Sequence, residues 1–381
     1  MPGIYISFPF CRQKCTYCNF ASGVFSDQLM DDYLEALQAE IRAAEIPPQA
    51  DTLYLGGGTP SLLDIARLGR LLEAFGRHGS VDHPAADVNH TWTEATIEAS
   101  PGSITPEKAA GWARLGINRV SLGVQSFVPE VAAASGRKHT PGDVAKEIEI
   151  LAAEGISNTN VDLIAGLARQ TQRSWDVSLD WVERLNPPHV SLYMLEVDDE
   201  SHLGAELRKG GFRYGASLVP SDDEIGDFYL QGVERLRLMN IFRYEISNFA
   251  RPGWESRHNL KYWNMEPYWG FGADAHSFDD KRRWGNLSSP TEYVAAWKEG
   301  SSVRGEVETV GHDRWTQDRF ITGLRRMAGI QPSRAELEKF RAPLLRLQER
   351  GWLTNTNRGH YRLTADGVMF SNEVFQQFLD D

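Results

Sequence analysis

The residues best suited to chemistry are Cys11, Cys15 and Cys18, which lie in the stretch CRQKCTYCNF and are the only cysteines among 381 residues. An odd number of closely spaced thiols does not suit a disulfide scaffold, and a chain of this length can bury a large core without one. A closed zinc site would need a fourth ligand from far along the chain, such as His83, so it is the less favoured alternative. Three clustered thiolates favour a [4Fe–4S] cluster with one iron left open for an exchangeable ligand.

The elements that must position these cysteines alternate over the first two-thirds of the chain. Short apolar runs predict strands at 4–8, 51–57, 95–100, 119–126, 158–167 and 189–197. Helix-periodic stretches lie between them, and this alternation predicts an α/β fold with a parallel sheet. Six units are too few for a closed eight-fold barrel, so we predict a partial (β/α)6 barrel over residues 1–200.

Polar or glycine residues follow several predicted strands at their C-terminal ends, where parallel α/β folds place their ligand sites. They are Gly56 to Thr59, Glu98, Gln125 and Asp162. Each one alone is compatible with an ordinary turn. Their recurrence at four equivalent strand ends favours a shared ligand site at the edge that carries the cysteines.

The chain beyond residue 200 is predicted to form two further parts. Glycines and charges at 201–224 predict a mobile loop or lid, within a mixed α/β extension that covers 201–300. Two helix patterns and a β-hairpin pattern over 301–381 predict a winged-helix-like domain. The charge of this last part is nearly balanced, so we expect packing or partner contact there rather than DNA binding.

The overall composition narrows the function classes. A net charge of −12 argues against a general affinity for nucleic acid. No apolar run approaches the ~20 residues of a membrane span. The N-terminal stretch MPGIYISFPF lacks the basic segment of a signal peptide and leads directly into the cysteines, so we expect a cytoplasmic protein without a membrane span.

The C-x₃-C-x₂-C spacing resembles that of the radical S-adenosylmethionine (SAM) proteins, in which the amino and carboxylate groups of SAM chelate the open iron. YLGGGTPSLL, IEASPG, GVQSF, GRKHT and DLIAGL are similar to the segments of that family that contact SAM. The resemblance implies that the cofactor-binding residues are Tyr5, Tyr17, Gly57, Gly58, Thr59, Glu98, Gln125, Arg137 and Asp162. Arginine suits a carboxylate, short acids suit ribose hydroxyls, and the glycines are expected to let the backbone approach SAM. Core packing is the alternative role of both tyrosines.

Within that superfamily, HVSLYMLEV and YEISNFARPG resemble the group of oxygen-independent coproporphyrinogen III oxidases, which includes the HemW-type haem chaperones. Three features favour the chaperone branch. The cysteines begin at residue 11 without a long extension before them, Phe20 stands where the oxidase usually has a further cysteine, and RHNLKYW matches the haem-associated motif H-N-x-x-Y-W. The resemblance implies that His258 binds haem beside Tyr262 and Trp263, whereas a buried structural histidine is the alternative.

The function that the resemblance implies is that of a haem chaperone linked to porphyrin biosynthesis. Its cofactors would be a [4Fe–4S] cluster, SAM and haem, and its partners would be recipient haemoproteins or, in a homodimer, a second copy. Three alternatives stay open: oxidative decarboxylation of coproporphyrinogen III by a 5′-deoxyadenosyl radical, radical chemistry on another substrate, and a non-catalytic scaffold with a structural metal site.

Overall fold

Six parallel strands form the part of the fold that positions the candidate site. The computed structural model describes residues 1–47, 49–76 and 92–379, and His83 lies outside them. The strands are β1 (Gly3–Phe8), β2 (Thr52–Gly57), β3 (Glu94–Ala99), β4 (Arg119–Gln125), β5 (Asn158–Ala165) and β6 (His189–Met194). They pair in chain order, each parallel to the next. All six predicted strands are confirmed, and the largest shift in bounds is the end of the sixth, predicted at 197 and observed at Met194.

Helices connect these strands on the outer side of the sheet. They are α1 (Asp27–Ala43), α2 (Ile65–Glu73), α3 (Pro106–Arg114), α4 (Pro129–Ala134), α5 (Pro141–Ala153) and α6 (Gln172–Leu185). Reciprocal capping fixes where α5 and α6 begin, because Thr140 and Thr171 each exchange hydrogen bonds with the residue three positions later. The alternation of strands and helices confirms the predicted partial (β/α)6 barrel.

The two faces of the strands differ sharply in polarity. Outward side chains such as Leu55, Ile97 and Leu122 are fully buried in one hydrophobic cluster with Trp112 and Trp175 of the helices. The inward face is polar, since successive strand residues point to opposite sides and the paired positions share a face. These inward pairs are Tyr54 with Thr96, Glu98 with Ser121, and Asp162 with Ser191. The apolar core therefore lies outside the barrel, and its lumen is a polar chamber.

The rest of the sheet continues on both sides of the barrel. Its strands are β7 (Phe242–Arg243), β8 (Asn248–Ala250), β9 (Tyr268–Phe271), β10 (His276–Phe278), β11 (Arg282–Asn286) and β12 (Arg304–Thr309). β8 and β7 follow β6, whereas β9 pairs parallel with β1 and leads to β10, β11 and β12. The accompanying helices are α7 (His202–Arg208), α8 (Asp222–Leu238), α9 (Arg257–Trp263) and α10 (Pro290–Lys298).

The segment 201–224, predicted as a mobile loop or lid, holds α7, a 3₁₀ turn at Arg213–Leu218 and the start of α8, so it is not an irregular loop. A role as a lid stays a prediction. The Ser201 hydroxyl caps α7 by accepting a hydrogen bond from the Gly204 N–H at 3.0 Å. The Leu203 N–H donates to the Thr16 carbonyl at 2.8 Å, so the segment is tied to the loop that carries the cysteines. Gly204 serves close packing, because a Cβ there would collide with the Asp198 carbonyl oxygen.

The C-terminal part combines short helices with one β-hairpin. Its elements are α11 (His312–Arg325), α12 (Arg334–Lys339), α13 (Arg341–Glu349), β13 (Leu353–Asn355), β14 (Tyr361–Leu363), α14 (Ala365–Met369) and α15 (Ser371–Gln376). The antiparallel pairing of β13 with β14 confirms the predicted hairpin. Rings of Phe320, Phe340 and Phe378 pack together at its centre, with centroids 4.5–5.3 Å apart. The division of the chain at residues 200 and 300 stays a prediction.

None of the helices in the described ranges combines the length and the apolar character that crossing a membrane requires.

Candidate functional site

The loop after β1 brings Cys11, Cys15 and Cys18 to the C-terminal edge of the barrel. All three thiols are free and partly exposed. The loop is held at its base, because the Cys11 N–H donates to the Gly23 carbonyl at 2.8 Å. Burial raises the pKa of the Cys11 thiol, and the Thr59 hydroxyl, which donates to its sulfur at 3.7 Å, partly opposes that shift. A bound cation is what would favour the thiolate here.

The arrangement of the thiols can be tested against the two metal sites that the sequence left open. Within the described residues, no three His, Cys, Asp or Glu side chains converge on a position for one metal ion. A closed zinc site needs such convergence, whereas in a [4Fe–4S] cluster each thiolate binds a different iron. Three partly exposed thiols on one loop fit a [4Fe–4S] cluster, which takes one thiolate for each of three irons.

The glycines after β2 are required by the chain itself. The Gly58 N–H donates to the Phe8 carbonyl at 2.8 Å, and the Thr59 N–H donates to the Phe10 carbonyl at 2.9 Å. A Cβ on Gly58 would lie 2.7 Å from the Phe10 carbonyl oxygen, and Gly57 has a φ of +104°. Glycine here lets β2 lie against the segment that leads into the cysteines. The predicted approach of this backbone to SAM stays a prediction.

One cavity of about 960 Å³ opens beside the cysteine loop and extends into the polar lumen. It lies at the upper end of the ~300–1,000 Å³ range of ligand pockets. Besides the three cysteines, the predicted site residues in its wall are Tyr17, Gly57, Gly58, Thr59, Glu98, Gln125, Arg137 and Asp162. Segments spread over the first half of the chain therefore meet around one space. Tyr5 and His258 do not line it.

Arg137 presents donors to this cavity close to the cysteines. Its Nη1 donates to the Ser100 hydroxyl at 3.2 Å, and its Nε is buried without a partner. The neighbouring Tyr17 is buried, which raises the pKa of its phenol, and the positive charge of Arg137 partly opposes this shift. A guanidinium in a cavity wall, with only some of its N–H donors hydrogen-bonded, suits an anionic group such as a carboxylate.

Two half-buried carboxyl groups, Glu98 and Asp162, face the same space. The Tyr54 hydroxyl donates to Glu98 at 2.9 Å, and the Asn160 amide donates to Asp162 at 2.7 Å. Burial raises the pKa of Glu98 to about 7, and the nearby Asp162 adds to this shift. Burial also raises the pKa of Asp162, whose hydrogen bonds oppose the change. Glu98 can therefore change its protonation near neutral pH.

This shift predicts a pH dependence of stability in the cluster-free protein. Because the pKa of Glu98 is higher in the folded state than its ordinary 4.5, its contribution to stability is present below pH 4.5 and is lost as pH rises to about 7. Glu98→Gln should flatten this dependence and raise the free energy of unfolding at pH 8 by about 3 kcal/mol. Denaturant unfolding at pH 5 and pH 8 measures both effects. The control Glu149→Gln, on the exposed side of α5, should change neither, and an unchanged pH profile in Glu98→Gln would contradict the assignment.

Two of the predicted SAM residues have distinctive environments. Gln125 has a φ of +66°, and its side-chain oxygen is buried without a partner. Such strain in a residue other than glycine tends to occur at functional sites. Tyr5, by contrast, stacks on Tyr54 with ring centroids 6.1 Å apart and lies away from the cavity. Core packing of Tyr5 is visible in this stacking, and a ligand contact for Tyr5 stays a prediction.

The surroundings of His258 are those of a buried structural histidine, the alternative to a haem ligand. It is 1% exposed, and its Nδ1 and Nε2 lie 2.9 Å from the Thr52 hydroxyl and 2.8 Å from the Tyr262 hydroxyl. Burial lowers the pKa of His258 to about 3, so the ring is neutral. Both ring nitrogens are therefore engaged by hydroxyl groups here, and the role of His258 as a haem ligand stays a prediction. Thr52 and Glu94, which contact α9, begin their strands, so the motif lies at the edge opposite the cysteines.

Sequence reasoning missed the residues of the deeper cavity wall. They are Arg119, Ser121, Asn160, Ser191 and Tyr193. The available signal was the alternation within strands such as RVSLGVQ, in which every second residue is polar or glycine although the strand is buried. In a barrel this pattern marks the lumen side of the strand.

Comparison with known proteins agrees with this geometry. The radical SAM superfamily model matches residues 5–182. The haem chaperone HemW of Bacillus subtilis (strain 168) is 32% identical over 392 residues, which span 100% of both chains. HemW of Escherichia coli (strain K12) is 29% identical and covers 99% of this chain and 97% of its own.

A solved structure shows how far the fold extends. Coproporphyrinogen III oxidase (HemN) from Escherichia coli, a radical SAM enzyme, superposes with a TM-score of 0.82 at 22% identity, covering 99% of this chain and 90% of that chain. The likeness therefore includes the C-terminal part as well as the barrel. From the cysteine loop, the shared fold and the full-length similarity, we conclude that this chain belongs to the radical SAM superfamily and, within it, to the HemW family.

Proposed function

We propose that this protein is a haem chaperone, which binds haem and delivers it to haemoproteins, and that a [4Fe–4S] cluster and SAM support this role. The observation that carries the proposal is the similarity to HemW chaperones over the complete length of both chains. Cytoplasmic location and assembly as a homodimer are parts of the same proposal. Sedimentation of the reconstituted protein tests the dimer.

The residues around the cavity fit the proposed cofactors. Cys11, Cys15 and Cys18 would hold the cluster, which when bound anchors SAM at its open iron and supplies electron-transfer chemistry. The guanidinium of Arg137 would bind a carboxylate, and Asp162 would accept hydrogen bonds from ribose hydroxyls. These roles follow from the donors and acceptors that the wall offers.

The mouth of the cavity supports haem binding. Phe20 lies in the cavity wall and is 65% exposed. A large exposed ring beside an open cavity offers an apolar surface for a porphyrin face, which a chaperone must bind and release. Because both nitrogens of His258 are engaged, we propose this cavity, rather than α9, as the place where haem enters.

Coproporphyrinogen III oxidation is the second candidate, and the superposition with HemN is the observation that favours it. An oxidase must hold a substrate side chain within reach of a radical, and an error of ~1 Å can cost about 100-fold in rate. The position equivalent to a further cysteine of the oxidases is the exposed Phe20, which makes the chaperone the better supported function.

One experiment separates the two functions. Anaerobically reconstituted protein is titrated with haem and followed by its absorption spectrum, and a second sample receives coproporphyrinogen III, SAM and a reductant. We expect saturable binding of haem and no protoporphyrinogen above the level of a cluster-free control. Turnover at enzymatic rates without haem binding would establish the oxidase instead.

A further inference from the structure

An arginine without a partner lies deep in the polar lumen. Arg119, the first residue of β4, is 1% exposed, and its side chain reaches the cavity wall. Among the described residues, no hydrogen bond or ion pair engages its guanidinium, and its Nε is completely shielded. A buried guanidinium normally has a carboxylate or several acceptors around it.

Three carboxylates of the surrounding elements are engaged elsewhere. Glu94 accepts hydrogen bonds from two backbone N–H groups at the start of α9, both at 2.9 Å. Glu245 pairs with Arg325 at 3.3 Å, and Asp162 accepts from the Asn160 amide at 2.7 Å. The charge of Arg119 acts on Asp162, whose raised pKa it partly lowers, but in the described ranges no carboxylate hydrogen-bonds to the guanidinium.

Strand geometry separates this arginine from the cysteine edge. Gln125 and Arg119 are the two ends of β4, and six residues of strand span ~20 Å. The wall also includes the neutral groups of Tyr54 and Ser191 and the carboxyl group of Asp162, on whose pKa the charge of Arg119 acts. A ligand that reached from the mouth into this region would meet one strong cationic donor at its inner end.

We propose that Arg119 is a binding subsite for a carboxylate at the inner end of the cavity. Its guanidinium offers parallel N–H donors that match the two oxygens of a carboxylate. On the proposed function, on which this assignment rests, the carboxylate is a propionate of haem. The porphyrin then lies in the cavity with one propionate directed inward, and its opposite side faces the mouth and Phe20.

The test compares haem with its dimethyl ester, which lacks the negative charges, in the same co-solvent. Wild-type protein should bind haem about tenfold more tightly than the ester, because charge-assisted hydrogen bonds are lost with the ester. Arg119→Gln should abolish this preference, and Arg119→Lys should keep part of it. Arg12→Gln, which removes a cation from the cavity wall at the cysteine loop, should keep the full preference.

Stability measurements distinguish a ligand subsite from a structural arginine. Without haem, Arg119→Gln should unfold at about the same temperature as wild type, since no hydrogen bond among the described residues is lost with the guanidinium. A clear loss of thermal stability would assign Arg119 to the fold. Equal preference for haem in wild type and Arg119→Gln would overturn the subsite and leave the chaperone proposal intact. Failure of the wild type to bind haem would overturn the proposed function itself.

Discussion

Replacing Cys15 with alanine is expected to abolish the [4Fe–4S] cluster. Two thiolates on one loop do not replace the three that the motif provides, so iron should fall from about four per chain to below about one after anaerobic reconstitution. Cys11→Ala and Cys18→Ala should behave alike, since all three thiols project from the loop at the C-terminal edge. Iron and sulfide analysis measures the effect, together with loss of the broad absorption at roughly 400 nm.

The matched control is Asn19→Ser, a change at an exposed position of the same loop. Asn19 donates to Asp198 at 3.2 Å and has no ligand atom that suits iron. We expect this variant to keep its iron. A cysteine variant that retained the complete cluster would exclude that cysteine from the ligand set.

Replacing His258 with alanine is expected to destabilise the fold while leaving the cluster unchanged. The substitution leaves the hydroxyls of Thr52 and Tyr262 without their partner and opens a void beside Tyr54, whose ring lies 5.3 Å from the imidazole. Loss of buried hydrogen bonds and packing predicts a decrease of about 3 kcal/mol in the free energy of unfolding. Denaturant unfolding under anaerobic conditions measures this change.

The exposed His276 provides the control, because alanine there should change stability by no more than about 0.5 kcal/mol. The second comparison is of haem affinity, measured at a temperature at which His258→Ala, the His276 control variant and wild type are all folded. We expect equal affinity in His258→Ala and wild type. Normal stability combined with lost haem binding would return His258 to the role of an iron ligand.

The barrel could be predicted from the sequence because its strands carry strong local signals. Runs such as TLYLGG and HVSLYM are short, apolar and bounded by turn residues, and each became a strand. The cysteine site was predictable for a similar reason, since its three residues lie within eight positions. The irregular loop expected at 201–224 was not observed, because Gly204 serves close packing within a helical segment, which composition does not distinguish from a flexible one.

The environments of single side chains depend on contacts that no local pattern contains. His258 is buried by Thr52 and Tyr54 of β2, about two hundred positions earlier in the chain. The amino-acid sequence of the motif is the same whether the imidazole faces a porphyrin or a hydroxyl group. Arg119 likewise resembles an ordinary charged residue at the start of a strand until the register places it inside the barrel.

The central claim, that this protein delivers haem, is tested most directly by transfer to a recipient. Haem-loaded, anaerobically reconstituted protein is mixed with a haem-free cytochrome, and the spectrum of the cytochrome is followed over time. A parallel sample separates the two proteins by a dialysis membrane that passes only free haem. We expect the cytochrome spectrum to develop when the proteins are in contact and to stay absent across the membrane. Equal transfer in both arrangements, or haem retained by this protein in both, would contradict a chaperone role.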